Sequence, residues 1–218
     1  MLKVLVISGD YWHPTEIVRR GLEELPDAAD FDFDFITDAK DILYPEMLDE
    51  YDVIVNAKMD TVHEGNQHEW FQPEVTEVTP DVLRGWIARG HGFLALHGGS
   101  AFYKEDTSGY VQLIGSCFVQ HPNRCEIRMT IDAQHPVTEG VHDFIYRDEH
   151  YELAPLADDL TVLATSHSPS GGDQLGAYVR QIGEGRLCML APGHILQTFR
   201  NPDFRRMISN AIRWCAGC

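Results

Sequence analysis

The chain has 218 residues, 44% of them apolar, enough to bury an ordinary globular core and too many for a disordered or collagen-like polymer. Seventeen Lys and Arg against 34 Asp and Glu leave a formal net charge of -17, so nucleic acid and anionic membrane surfaces are repelled at long range and neither is an expected partner. The longest apolar runs, 4–7 and 93–96, fall far short of the roughly 20 residues that span a bilayer, and Ser8-Gly9-Asp10 comes too early for a secretory h-region; a cytoplasmic protein is expected.

In chain order, residues 3–7 read as a buried parallel strand feeding the loop that starts at Ser8. Pro14-Thr15-Glu16 opens a helix carried by Ile17, Val18, Leu22 and Leu25 and stopped by Pro26. Residues 31–36 alternate Phe with Asp, which predicts a more exposed second strand, and 51–56 predicts a buried third. A helix follows Thr79-Pro80-Asp81, with Val82, Leu83, Trp86 and Ile87 at helical spacing, and closes at Gly90. Residues 92–96 form a fourth strand that delivers His97-Gly98-Gly99 at its carboxyl end. This alternation predicts an α/β fold with a doubly wound sheet, mostly parallel, and helices on both faces. Beyond Ser100, runs at 125–131, 160–164, 177–182 and 186–190 predict added, partly antiparallel strands on the same sheet, followed by a closing helix at 202–214. Without a linker, repeat or charge block, 1–218 reads as one domain.

Ligands of open α/β sheets bind beyond the carboxyl ends of the strands, so the loops 8–15, 56–60 and 97–103 should converge on one crevice. Among eleven histidines, His13, His97, His121, His135 and His194 fall in predicted loops, where imidazole serves as general base or metal ligand. His97 stands where a strand-to-helix elbow would hold a nucleophile, while no such elbow surrounds Ser100. Gly98 and Gly99 predict a tight turn with amides open to an anion or a sugar hydroxyl. In Asp148-Glu149-His150-Tyr151, apolar neighbours would raise the pKa of Glu149 toward general-acid use, and Tyr151 would hydrogen-bond a substrate hydroxyl. Trp12, Tyr103 and Tyr110 offer aromatic faces to a sugar ring.

Other patterns are set aside. His63 and His68 are five apart around Gly65-Asn66, not at the four-residue helical spacing of a metalloprotease. Phosphate-loop and dinucleotide fingerprints are missing. Five cysteines predict reduced thiols; Cys215 and Cys218 have C-x-x-C spacing without a following helix to activate them, and Cys117, Cys125 and Cys188 do not complete a zinc set.

The run 90–99, Leu113 to His121-Pro122, His135-Pro136 to Gly140, Asp148 to Tyr151, Gly185-Arg186, Pro192-Gly193-His194 and 210–214 form an ordered series. This series resembles the ThuA-like, or trehalose-utilisation, family, a branch of the class I glutamine-amidotransferase-like fold. The resemblance implies a flavodoxin-like sheet and a place in sugar metabolism, often beside oxidoreductases that make keto-sugars. It also implies site residues His97, His121, Glu149, Tyr151 and His194, which His13 joins on topological grounds. The amidotransferase cysteine has no counterpart, because Cys117 lies a strand and a loop too late, so glutamine hydrolysis is not expected.

The leading expectation is an enzyme acting on a sugar or keto-sugar glycoside, with His97, His121 and His194 as bases or ligands and Glu149 as general acid. Hydrolase, isomerase and lyase chemistry all stay open, since each starts with proton transfer near a carbonyl or glycosidic oxygen. A divalent metal such as Zn²⁺, held by His97, His121 and His194, would suit the same residues. The competing expectation is a non-catalytic module that binds carbohydrate or docks on a partner dehydrogenase. A homo-oligomer is expected by fold analogy alone.

Overall fold

Residues 1–37, 43–59, 76–106 and 108–218 are described by the computed structural model. The His63–His68 pattern and Asp60, at the end of the predicted 56–60 crevice segment, lie outside the described residues. The strands are β1 (Leu2–Ile7), β2 (Phe31–Ile36), β3 (Val53–Asn56), β4 (Gly92–Leu96), β5 (Ser116–Gln120), β6 (Cys125–Ile131), β7 (Phe144–Asp148), β8 (Glu152–Pro155), β9 (Thr161–Ser168), β10 (Gly172–Ile182) and β11 (Gly185–Leu190). The helices are α1 (Thr15–Glu23), α2 (Pro45–Leu48), α3 (Pro80–Ala88), α4 (Tyr110–Ile114), α5 (Leu196–Phe199) and α6 (Pro202–Cys215).

Because successive strand side chains point to opposite faces, the all-apolar inner strands supply two cores at once. Val4 and Val6 of β1, with Val53, Val55, Leu94 and Leu96, pack against Val18 and Leu22 of α1 and Phe204, Met207 and Ile208 of α6. Leu5 and Ile7, with Ile54 and Phe93, face Leu83, Trp86 and Ile87 of α3 and the aromatic ring of Tyr110. Helices therefore cover both faces. The start of α6 is set by Asn201, whose side chain accepts from the amides of Asp203 and Phe204, with Pro202 in the first turn.

The main sheet has the order β2-β1-β3-β4-β11-β10-β9-β6-β7. The pairings from β2 to β11 are parallel and those from β11 to β7 antiparallel, so the sheet is mixed, and the expectation of a mostly parallel sheet holds only for one half. The reason is local. β10 and β11 are joined by a two-residue hairpin turn with Gly183 at φ 59, which forces them antiparallel and turns β11 back into parallel register beside β4. A separate ribbon of β5 and β8, not foreseen from the sequence, packs alongside. Among the described residues no helix is long and apolar enough to cross a membrane.

One consequence of this topology positions the site. The segments just beyond the carboxyl ends of β1, β4, β5, β7 and β11 carry His13, His97, His121, Glu149 and His194 respectively.

Candidate active site

His13 is buried, and its ring is fixed from behind by Asp10. The Nδ1–H of His13 donates to the Asp10 carboxylate at 2.8 Å, and that carboxylate also accepts the backbone N–H groups of Trp12, His13 and Met59 at 2.8, 2.9 and 2.8 Å. Nδ1 thus carries the proton and Nε2 turns inward, where the Tyr151 hydroxyl donates to it at 3.1 Å. His97 repeats the device. Its Nδ1–H donates to the Ala191 carbonyl at 2.7 Å, so its Nε2 also presents a lone pair, 3.4 Å from His194 Nδ1 and 3.6 Å from Glu149 Oε2. His194 Nδ1 lies 3.1 Å from the same Glu149 oxygen. The His97 ring stacks on Tyr151 with centroids 4.2 Å apart.

To reach this place the backbone at His97 adopts φ 46, in the left-handed region that non-glycine residues seldom enter; among the described residues His97 is the only non-glycine there. The two glycines after it serve close approach. A Cβ on Gly98 would come within 2.8 Å of His13 Nδ1, and one on Gly99 would collide with the Asn56 carbonyl. Both glycines are buried, and they let the turn after β4 press against β3 and the first loop.

The electrostatics revise the role of Glu149. Burial alone would raise its pKa, as the sequence suggested, but the His194 and His97 rings facing it, which hydrogen-bond to it and offset its charge whenever they hold a proton on that side, outweigh burial and hold it well below the usual carboxylate range. It is an ionised carboxylate, suited to ligation and ill suited to donating a proton. Burial pushes the His13 pKa down, and the nearby His97 and His194 add to the effect against the opposing pull of Asp10, which keeps the ring neutral. Burial, then the charges of Glu149 and Asp10, push the Tyr151 phenol far up, so it stays a donor.

The four groups His13, His97, Glu149 and His194 each bring one ligand atom within 4.8 Å of the others. A tetrahedral ion with metal–ligand distances of about 2.0–2.1 Å spaces its ligand atoms by roughly 3.3 Å, close to the 3.1, 3.4 and 3.6 Å separations among Glu149, His194 and His97. The residues fit a divalent cation. Membership differs from the His97, His121, His194 set read from the sequence. His121 sits on the rim, its Nδ1 bonded to the Pro122 carbonyl and its Nε2 3.7 Å from Glu149, while His13 and Glu149 complete the cluster.

In front of the cluster opens a cleft of about 270 Å³, lined by Trp12, His13, Met59, Ala101, Tyr103, Phe118, His121, Glu149 and Tyr151. Trp12 and Tyr103 are more than half exposed at its mouth, as a stacking role requires, but Tyr110 is fully buried against Phe102 and offers no ring face to a ligand. Ser100 is likewise buried and donates to the His97 carbonyl. A wider groove of about 580 Å³ along residues 131–141 shares no residue with the cluster; there His135 caps a short 3₁₀ turn. Asp10, which accepts from His13 Nδ1, and Asp148, which accepts from the Gly193 and His194 amides, were not singled out in the sequence. For Asp10 the available signal was the Asp-x-x-His spacing in the loop after the first strand.

Residues 3–215 match the sequence profile of ThuA, trehalose utilisation. The chain belongs to the ThuA family. Solved structures agree on the fold. A ThuA-like protein from Bacteroides uniformis ATCC 8492 is 20% identical with a TM-score of 0.74, covering 98% of this chain and 91% of that one. A second, from Parabacteroides merdae ATCC 43184, is 16% identical with a TM-score of 0.76, covering 99% and 90%. A cytoplasmic protein from Salmonella typhimurium LT2 is 14% identical with a TM-score of 0.71, covering 98% and 99%. No curated protein matches the chain.

Proposed function

We propose that this ThuA-family chain is a metal-assisted enzyme acting on a sugar or keto-sugar glycoside, with 1–218 as one domain. The observation that carries the reading is the double lock on tautomers. Asp10 accepts a hydrogen bond from His13 Nδ1–H and the Ala191 carbonyl one from His97 Nδ1–H, so both Nε2 atoms are left with a lone pair, in a cluster whose ligand atoms, with those of His194 and Glu149, lie within 4.8 Å of one another. His13, His97, His194 and Glu149 would hold Zn²⁺ or a similar divalent ion, which, by admitting a substrate oxygen as a further ligand, would supply Lewis-acid polarisation of a carbonyl or glycosidic oxygen. His121, with Nδ1 tied to Pro122 and Nε2 facing the cleft, acts as the mobile acid/base. The Tyr151 hydroxyl, which donates to His13 Nε2 in this structure, would be freed when an ion takes that lone pair and would then donate to a substrate oxygen, while Trp12 and Tyr103 stack on the sugar ring. The cleft volume of about 270 Å³ lies near the lower end of small-molecule sites, which supports one ring inside it. The order β2-β1-β3-β4-β11 of the parallel half supports the finer assignment to a flavodoxin-like sheet. An oxidoreductase that introduces the keto group belongs to the same reading as the partner activity.

The test is elemental analysis of untagged protein, followed by assays of keto-sugar glycosides. Wild type should carry one divalent ion, lost in the His97→Ala, His194→Ala double variant, while His121→Ala should keep the ion and lose turnover. Sugar binding that persists without turnover in wild type would favour the non-catalytic module, a reading to which the exposed Trp12 and Tyr103 also lend themselves.

A further inference from the structure

Two of the four clustered ligands, Glu149 and His194, come from different parts of the chain, yet one side chain holds both. Asp148 ends β7 in register with Cys125 of β6, so its backbone is fixed by the sheet. Its carboxylate is fully buried and is compensated by backbone N–H groups. Oδ1 accepts from Glu149 at 2.9 Å, and Oδ2 accepts from Gly193 at 3.1 Å and from His194 at 3.2 Å. The loop after β11 has no regular structure of its own until α5, and Gly193 there adopts φ 138, a conformation that glycine enters freely and that does not by itself fix the loop. The end of β7 is held a second time where Thr198 of α5 donates to the Arg147 carbonyl at 3.3 Å.

We infer that Asp148 is the positioning residue of the cluster: by clamping the amides of Glu149, Gly193 and His194 it sets the 3.1 Å approach of the Glu149 and His194 ligand atoms. The inference rests on the metal reading above. A carboxylate is the group this task requires, because it offers acceptors on two sides and no donor. Asparagine would satisfy one side with its oxygen and turn its NH₂ against an N–H on the other. Supports of this kind cost about 10–100-fold in metal affinity when removed.

Calorimetric titration with ZnCl₂ alone tests this in wild type, Asp148→Asn and Ile212→Ala. Ile212 is a buried α6 residue, and that stretch of α6 runs to Cys215 at the start of β4, the end of the sheet opposite the site. Asp148→Asn should bind zinc 10–100-fold more weakly, whereas Ile212→Ala should melt lower but bind within twofold of wild type. Equal binding by Asp148→Asn overturns the inference, as does a loss in both variants that follows their melting temperatures. If wild type binds no zinc, the metal reading fails by itself. Amide exchange in wild type then decides for Asp148, as it does if the variant does not fold: the Glu149, Gly193 and His194 amides must be protected together, and exchange at the rate of open peptide refutes the clamp.

Discussion

Asp10→Asn is expected to remove His13 from the cluster without removing its ring. The wild-type carboxylate receives four N–H groups, from the backbone of Trp12, His13 and Met59 and from His13 Nδ1, at 2.8–2.9 Å. Asparagine has one oxygen. If it keeps the Trp12 and His13 amides, its NH₂ faces the Met59 N–H and the imidazole. The ring escapes by moving its proton to Nε2, which converts the inward lone pair into a donor. Leaving the Met59 N–H without an acceptor costs about 1–3 kcal/mol, and exchanging a charge-assisted bond for a neutral one about 1 kcal/mol more. For a chain of this size that is a drop in Tm of roughly 5–15 °C. Zinc affinity should fall by at least about 10–100-fold. The Asp10 pKa carries a sign as well. Burial pushes it up, but the His13 hydrogen bond and charge and the Met59 and Trp12 amides outweigh this, so it lies below its ordinary 3.8. A depressed carboxylate stabilises the fold above its unfolded value and loses that contribution as pH falls through the folded one. Wild type should therefore lose stability below about pH 4 on an acid limb that the variant lacks. Calorimetry with ZnCl₂, melting curves against pH and ¹⁵N shifts of the His13 ring provide the check. Zinc affinity within threefold of wild type, together with an unchanged tautomer, would refute the reasoning.

Three further outcomes are expected. Gly99→Ala should lower stability by about 1–3 kcal/mol, because the added methyl meets the Asn56 carbonyl and the turn after β4 must move; a Tm within 1 °C of wild type in thermal melts contradicts this. Zinc binding should weaken as pH is lowered, since imidazoles must be neutral to ligate and protons compete for them; titrations at pH 7.5 and 5.5 should differ by more than about tenfold, and equal affinities would exclude histidine ligation. Burial pushes the Cys215 thiol up to about 12, so iodoacetamide on native protein should modify Cys218 and spare Cys215; rapid labelling of Cys215 would reopen a redox role for the pair.

The parallel half of the sheet was legible because buried strands and amphipathic helices obey fixed periods: β1, β3 and β4 fall on apolar runs and α1, α3 and α6 on helical spacing. β5 and β8 escaped notice since a short ribbon outside the main sheet leaves no long alternation, and β8 ends in Pro155 after only four residues. His13, His97, His121, Glu149 and His194 were named as site residues from the sequence, but the metal set grouped there, His97, His121 and His194, is not the set that the structure clusters. Which imidazole faces which atom depends on Asp10 and Ala191 behind the rings, partners that no local spacing encodes. The direction of the Glu149 shift was missed for the same reason: apolar neighbours can be counted along the chain, whereas two histidines arriving from distant loops cannot.

The left-handed backbone at His97 bears on how variation in this chain would be interpreted. A non-glycine residue held there stores about 1–2 kcal/mol of strain. Glycine would release it, offsetting part of the lost hydrogen bond to Ala191 and the lost stacking on Tyr151. His97→Gly should therefore lose less stability than His97→Ala, which keeps the strain, while both dismantle the cluster. Selection for abundance or heat resistance would act on position 97 with part of its force cancelled by that strain, and selection for the chemistry would add the reason to keep histidine in a conformation that the backbone by itself disfavours.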